Sequence, residues 1–122
     1  MEGLKVLVID DEESIVKSFV HYFLKKGYDI RGLTSGEEAL IALAEQSYDV
    51  VITDLHMAPV TGFEIIDVVR LRQPKALLMA MSGKYGKDDV ADLKVDCFFE
   101  KPFFFKDIES AIKERLVQSG AA

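Results

Sequence analysis

Val50-Val51-Ile52-Thr53-Asp54 decides how the chain is read: four apolar or β-branched residues run straight into a carboxylate. A segment of that composition fits the interior of a sheet. Its last residue then emerges at the carboxyl edge, where open α/β sheets keep their binding sites. Asp54 is either a reactive group or an ordinary strand-ending turn former, and the flanking sequence has to decide which.

Immediately upstream, Ser35-x-x-Glu38 has the form of a capping box, and Ala39, Leu40, Ala42 and Leu43 give the helix behind it an apolar stripe. Further back, residues 28–33 read as a weaker strand. Residues 12–26 form a helix with Ile15, Val16, Phe19, Val20, Phe23 and Leu24 at helical spacing, stopped by Gly27 as a C′ residue. Residues 4–9 are a short apolar strand ending in Asp10-Asp11-Glu12-Glu13.

Downstream, Thr61-x-x-Glu64 repeats the capping box ahead of Phe63, Ile65, Ile66, Val69 and Leu71, and Pro74 halts that helix. Residues 76–81 are apolar throughout, a fourth buried strand closed by Ser82-Gly83. Residues 88–93 suggest a short, poorly patterned helix. Cys97-Phe98-Phe99 is a fifth strand leading to Lys101-Pro102, and Ile108, Ala111, Ile112, Leu116 and Val117 mark a last amphipathic helix. Strand and helix thus alternate five times. That pattern predicts an α/β fold with a five-stranded parallel sheet, covered on both faces and joined by right-handed crossovers. The order 2-1-3-4-5, the flavodoxin-like (βα)5 arrangement, is one of the two common solutions; it would make strands 1 and 3 neighbours and set Asp10 and Asp11 opposite Asp54.

With 122 residues the chain fits one domain, 1–122, with 118–122 as a fraying end or the beginning of a linker. The formal charge of −6 argues against nucleic acid or an anionic membrane as this chain's own partner. Cys97 is the sole cysteine, which excludes an internal disulfide and fits a reducing compartment. The N-terminal apolar run is too short for a signal peptide or a membrane span, so the expected location is cytoplasmic.

Three converging carboxylates repel one another until a proton or a cation relieves them. An all-oxygen donor set of high charge suits a hard ion such as Mg²⁺. Ser82 and Lys101, at the ends of strands 4 and 5, add a hydroxyl and an ammonium. Carboxylate, cation, hydroxyl and ammonium are the parts that hold a phosphoryl group, and an aspartate can accept one as an acyl phosphate.

Along essentially its whole length the chain resembles the response-regulator receiver domains of two-component phosphorelay signalling. The residues that carry the resemblance are Asp10-Asp11, Asp54, Met57, Gly62, Ser82-Gly83 and Lys101-Pro102-Phe103. The resemblance implies that Asp54 is the phosphoacceptor, served by a sensor histidine kinase, a phosphotransfer protein or a small phosphodonor. It implies Mg²⁺ held by Asp11 and Asp54 and the His56 backbone carbonyl, with Asp10 acting through water or from further out. Lys101 would contact the phosphoryl group, Ser82 would turn toward it, Phe98 would change rotamer with it, and small Gly83 would leave room for its oxygens. The Lys101–Pro102 bond would be cis. His56 and Lys84 would tune loss of the phosphoryl group. Output, by homodimer or effector, would use the face of the fourth strand, fourth helix, fifth strand and fifth helix. Such a receiver is not an enzyme beyond self-phosphorylation from small donors and autodephosphorylation.

Two departures from the family pattern stand out. Proline follows Met57 one place late, as Met57-Ala58-Pro59, and the stretch from Ser82 to Lys101 is roughly one helical turn short. They leave open a pseudo-receiver that binds partners without being phosphorylated. A phosphatase of the aspartyl-phosphate type is a third reading, opposed by His56 standing where a second aspartate would act. Of the remaining residues, His21 reads as surface, Cys97 as a buried small hydrophobe, Phe99 and Phe103 as interior, and Phe104 as partly exposed at a helix start that lacks a polar cap.

Overall fold

The computed structural model describes residues 3–118; the tail from Ser119 and the side chains of Val117 and Gln118 lie outside the described residues. The elements are β1 (Lys5–Ile9), α1 (Glu13–Lys25), β2 (Asp29–Leu33), α2 (Gly36–Glu45), β3 (Val50–Asp54), α3 (Gly62–Arg72), β4 (Leu77–Ser82), a single 3-10 turn (Lys87–Val90), β5 (Cys97–Glu100) and α4 (Phe105–Gln118). All strand pairs are parallel, in the order β2-β1-β3-β4-β5. Ile9 pairs with Thr53, and Asp54 with Met81, so the ends of β1, β3 and β4 lie at one edge.

Strand alternation builds two cores. Leu7, Ile9, Val51, Leu78 and Ala80 meet Ala39 and Leu43 of α2 and Ile65, Ile66 and Val69 of α3. On the other face, Val6, Val8, Val50, Ile52, Met79 and Met81 meet Phe19 and Phe23 of α1 and Ile108, Ile112 and Leu116 of α4. The near-continuous apolar runs of β3 and β4 are thus the signature of strands covered twice, and both are buried along their whole length.

The helix boundaries follow local chemistry. Gly27, at φ 89°, ends α1: its N–H donates to the Leu24 carbonyl and that of Tyr28 to the Phe23 carbonyl, a Schellman closure. The Ser35 and Thr61 hydroxyls accept the N–H groups of Glu38 and Glu64, at 3.1 and 3.3 Å. Both caps are where the sequence puts them.

The structure corrects the fourth helix. Residues 88–93 carry only a 3-10 turn at Lys87–Val90, with Val90 as its buried anchor. Side chains hold that turn rather than an apolar stripe: Asp89 accepts the Gly86 N–H at 2.9 Å and Glu100 accepts the Lys87 N–H at 3.0 Å. Leu24 and Leu71, taken as stripe residues, are exposed. Cys97, Phe99 and Phe103 are half-buried rather than interior, since Cys97 and Phe99 lie on the edge strand β5 and Phe103 just beyond it, whereas Phe104 is exposed as expected. No helix among the described residues is long and apolar enough to cross a membrane.

Candidate functional site

The carboxyl edge of β1, β3 and β5 brings the acids and the lysine together. Asp10 is fully buried and Asp54 is 4% exposed, while Asp11 faces solvent. Carboxylate oxygens of the three lie within 4.8 Å of one another. Lys101 Nζ stands 2.7 Å from Asp10 Oδ2, 3.2 Å from Asp54 Oδ1 and 3.6 Å from Glu12 Oε1. Each buried acid also accepts a backbone N–H: Asp10 Oδ1 from Glu12 at 2.9 Å, and Asp54 Oδ2 from His56 at 3.2 Å.

Electrostatically the cluster is under-neutralised. Burial, then the charge of Asp10, pushes the Asp54 carboxyl up to about 6, with Asp11 adding to the rise and Lys101 opposing it. Burial works against the Lys101 ammonium, but its hydrogen bond to Asp10 and the charges of Asp10 and Asp54 outweigh that and leave it above its ordinary value. Asp54 holds a proton more tightly than an ordinary carboxyl because burial and the neighbouring acids outweigh Lys101. The donor set fits a divalent cation: oxygen ligands only, clustered, with one acid open to solvent.

The backbone around Asp54 is set by Gly62. A Cβ there would overlap the Asp54 carbonyl oxygen and lie 2.6 Å from Leu55 Cα, so the start of α3 can sit against the end of β3 only as glycine. Between them runs the loop with the displaced proline, and the Ala58–Pro59 bond in it is cis, as is Lys101–Pro102. The His56 side chain is exposed.

Ser82 is 1% exposed, and its hydroxyl accepts the N–H groups of Lys84 at 3.0 Å and Tyr85 at 2.9 Å. Alternation puts Ser82 on the face of Leu78 and Ala80, whereas Asp54 follows Val50 and Ile52 on the other. Ser82 is thus beside the cluster but committed to its own loop. Phe98 packs half-buried against the α2–α3 core. Gly83 is exposed, and a Cβ there would touch only the Lys101 stem, at 3.7 Å, so nothing in this arrangement crowds it. Lys84 Nζ lies 5.8 Å from the Tyr85 ring centroid.

Sequence reasoning missed Glu12 and Tyr85. Glu12 extends the acidic run after β1, a signal that could have marked it as a further partner for Lys101. Tyr85 carried none, because its position depends on the Ser82 turn.

Comparison with known proteins agrees with this arrangement. The family profile described as the response regulator receiver domain matches residues 6–113. The transcriptional regulatory protein PhoP of Bacillus subtilis, named for alkaline phosphatase synthesis, is 30% identical over 121 residues, covering 97% of this chain and 50% of that protein. The chain therefore spans about half the length of this curated relative. The crystal structure of the response regulator TrrA from Thermotoga maritima, in complex with Mg²⁺-BeF, superposes with a TM-score of 0.81 at 27% identity, covering 91% of this chain and 97% of that one. A CheY-like receiver domain protein from Methanospirillum hungatei has the same fold at a TM-score of 0.88 and 18% identity, covering 96% of each chain. From its sequence profile, its strand order and its acidic edge, the chain belongs to the response regulator receiver domain family.

Proposed function

We propose that residues 1–122 form one receiver unit whose Asp54 takes a phosphoryl group from the phosphohistidine of a sensor kinase or phosphotransfer protein, or from a small phosphodonor. The observation that carries this reading is the Lys101 ammonium bridging Asp10 and Asp54, at 2.7 and 3.2 Å, inside a cluster of three carboxylates. An Asp54 oxygen attacks phosphorus and the P–N bond to the imidazole breaks. The leaving nitrogen takes up a proton, and an acyl phosphate remains on Asp54. Mg²⁺, held by Asp11, Asp54 and the His56 backbone carbonyl with Asp10 behind them, would supply the charge that offsets the phosphoryl oxygens.

Lys101 exchanges its contact with Asp54 for one with a phosphoryl oxygen and keeps Asp10 as its partner. Ser82 and the Gly83 backbone complete the oxygen contacts, Phe98 follows Ser82, and the exposed His56 and Lys84 side chains flank the bond that water must reach. The altered state is read on the face made by β4, the 3-10 turn, β5 and α4, by a second copy or an effector. On this reading the chain acts on the cytoplasmic side, carries out no turnover beyond its own phosphorylation and dephosphorylation, and needs no nucleic-acid contact of its own. The Mg²⁺-BeF complex of TrrA supports the cation and phosphoryl part of the reading by likeness.

The test is incubation with Mg²⁺ and acetyl or carbamoyl phosphate, followed by intact-mass measurement. The wild-type chain should gain one phosphoryl group and Asp54→Ala none. A wild-type chain that gains nothing from these donors or from any kinase defeats the reading.

A further inference from the structure

The loop between β4 and the 3-10 turn is fastened at three points. At its start, both lone pairs of the Ser82 hydroxyl are taken by loop amides, those of Lys84 and Tyr85. At its end, the Lys87 N–H donates to Glu100 Oε1 at 3.0 Å. In the middle, the Tyr85 ring meets the Phe63 ring edge to face, with centroids 5.9 Å apart and planes at 79°. The backbone beside Phe63 is anchored, because the adjacent Gly62 is pressed against the Asp54 carbonyl with no room for even a Cβ. The ring pair therefore ties a loop residue, Tyr85, to a helix start packed on the end of β3.

We propose that Phe63 and Tyr85 form a latch that keeps residues 83–86, and through them the Ser82 hydroxyl, on the α3 side of the sheet. Tyr85 is thereby a positioning residue for the Ser82–Asp54 pair. To turn toward Asp54, Ser82 must release both loop amides or draw the loop with it, and either movement pulls Tyr85 from Phe63. An edge-to-face pair holds the latched arrangement by roughly two- to tenfold in population. The hydroxyl of Tyr85 plays no part; the ring does. The inference rests on the phosphoacceptor reading only for the direction in which Ser82 turns.

Two measurements on wild type, Tyr85→Phe, Tyr85→Leu and Phe63→Leu decide it. The first is amide hydrogen exchange at Lys84 and Tyr85 in the metal-free proteins. Exchange should quicken roughly two- to tenfold in the two leucine variants and stay at the wild-type rate in Tyr85→Phe. The second is titration with Mg²⁺ and beryllofluoride, in which the leucine variants should bind more tightly by a similar factor and Tyr85→Phe should match wild type. Unchanged exchange in both leucine variants overturns the latch. So does quickened exchange with unchanged or weaker beryllofluoride binding. A wild-type chain that takes no beryllofluoride defeats the phosphoacceptor reading instead, and the exchange rates still decide whether the ring pair holds the loop.

Discussion

Lys101 touches two carboxylates at once, and this separates the consequences of removing it from those of removing Asp54. Lys101→Met leaves Asp10, fully buried, with one oxygen unpaired. Breaking a buried pair on one side is expected to cost about 3 kcal/mol in the metal-free protein, read by denaturant unfolding in the presence of chelator. Asp54→Asn works the other way. Burial and Asp10 raise Asp54 to about 6, so at neutral pH it is charged at a cost that the unfolded chain does not bear. Removing that charge should stabilise the metal-free protein by about 1–2 kcal/mol, allowing for solvent screening. The sign for pH follows from the same shift. Because the folded-state value lies above the ordinary 3.8, the native state holds an extra proton between about 4 and 6, and this contribution to stability is lost as pH rises through that window. On the proposed reading a divalent cation would take the place of the proton. The rise in melting temperature produced by Mg²⁺ should therefore grow as pH is raised through about 6 and level off above it. A rise independent of pH between 5 and 7 would contradict the coupling.

At the scale of elements, glycine separates positions that look alike in the sequence. Gly62→Ala drives a Cβ into the Asp54 carbonyl and Leu55 backbone, which cannot yield without moving α3 off β3. Overpacking of this kind is expected to cost about 2–3 kcal/mol, and it should also displace the His56 N–H from Asp54. Gly83→Ala, meeting only the Lys101 stem at ordinary distance, should stay within about 0.5 kcal/mol of wild type. Denaturation midpoints of the two variants check both. The elements themselves are largely legible in the sequence. Continuous apolar runs mark β3 and β4, Ser35 and Thr61 mark helix starts, and Gly27 marks a helix end, because each signal acts over a few residues. The acids and Lys101 are legible as a site because strand ends in this topology share an edge. What is not legible depends on distant partners. The 3-10 turn is held in part by the distant Glu100, which accepts the Lys87 N–H, and the direction of the Ser82 hydroxyl is decided by the loop that folds over it. Leu71 has the right spacing for a stripe yet is exposed, since periodicity does not reveal where a helix outruns the surface it covers.

In the whole molecule, one ring system joins the α1–α4 layer to the site. Phe19 is fully buried and lies 4.7 Å from Phe105, 5.8 Å from Phe103 and 5.9 Å from Phe23, centroid to centroid. Phe19→Ala should cost about 3–5 kcal/mol, a large share of the ~5–15 kcal/mol that holds a domain together, and denaturant unfolding would show it. Phe103 follows the cis Lys101–Pro102 bond, so this core also seats the residue that bridges Asp10 and Asp54. The sheet, its two layers and the shared strand edge thus serve to hold one lysine against two buried acids. The claim that this edge exists to phosphorylate Asp54 is tested most directly by trapping. After exposure to Mg²⁺ and carbamoyl phosphate, the protein is reduced with borohydride, digested and sequenced by mass spectrometry. Reduction should leave homoserine at position 54 in the wild-type chain and at no position in Lys101→Met or metal-free controls. Position 54 unmodified, or modification at another carboxylate, would contradict the account.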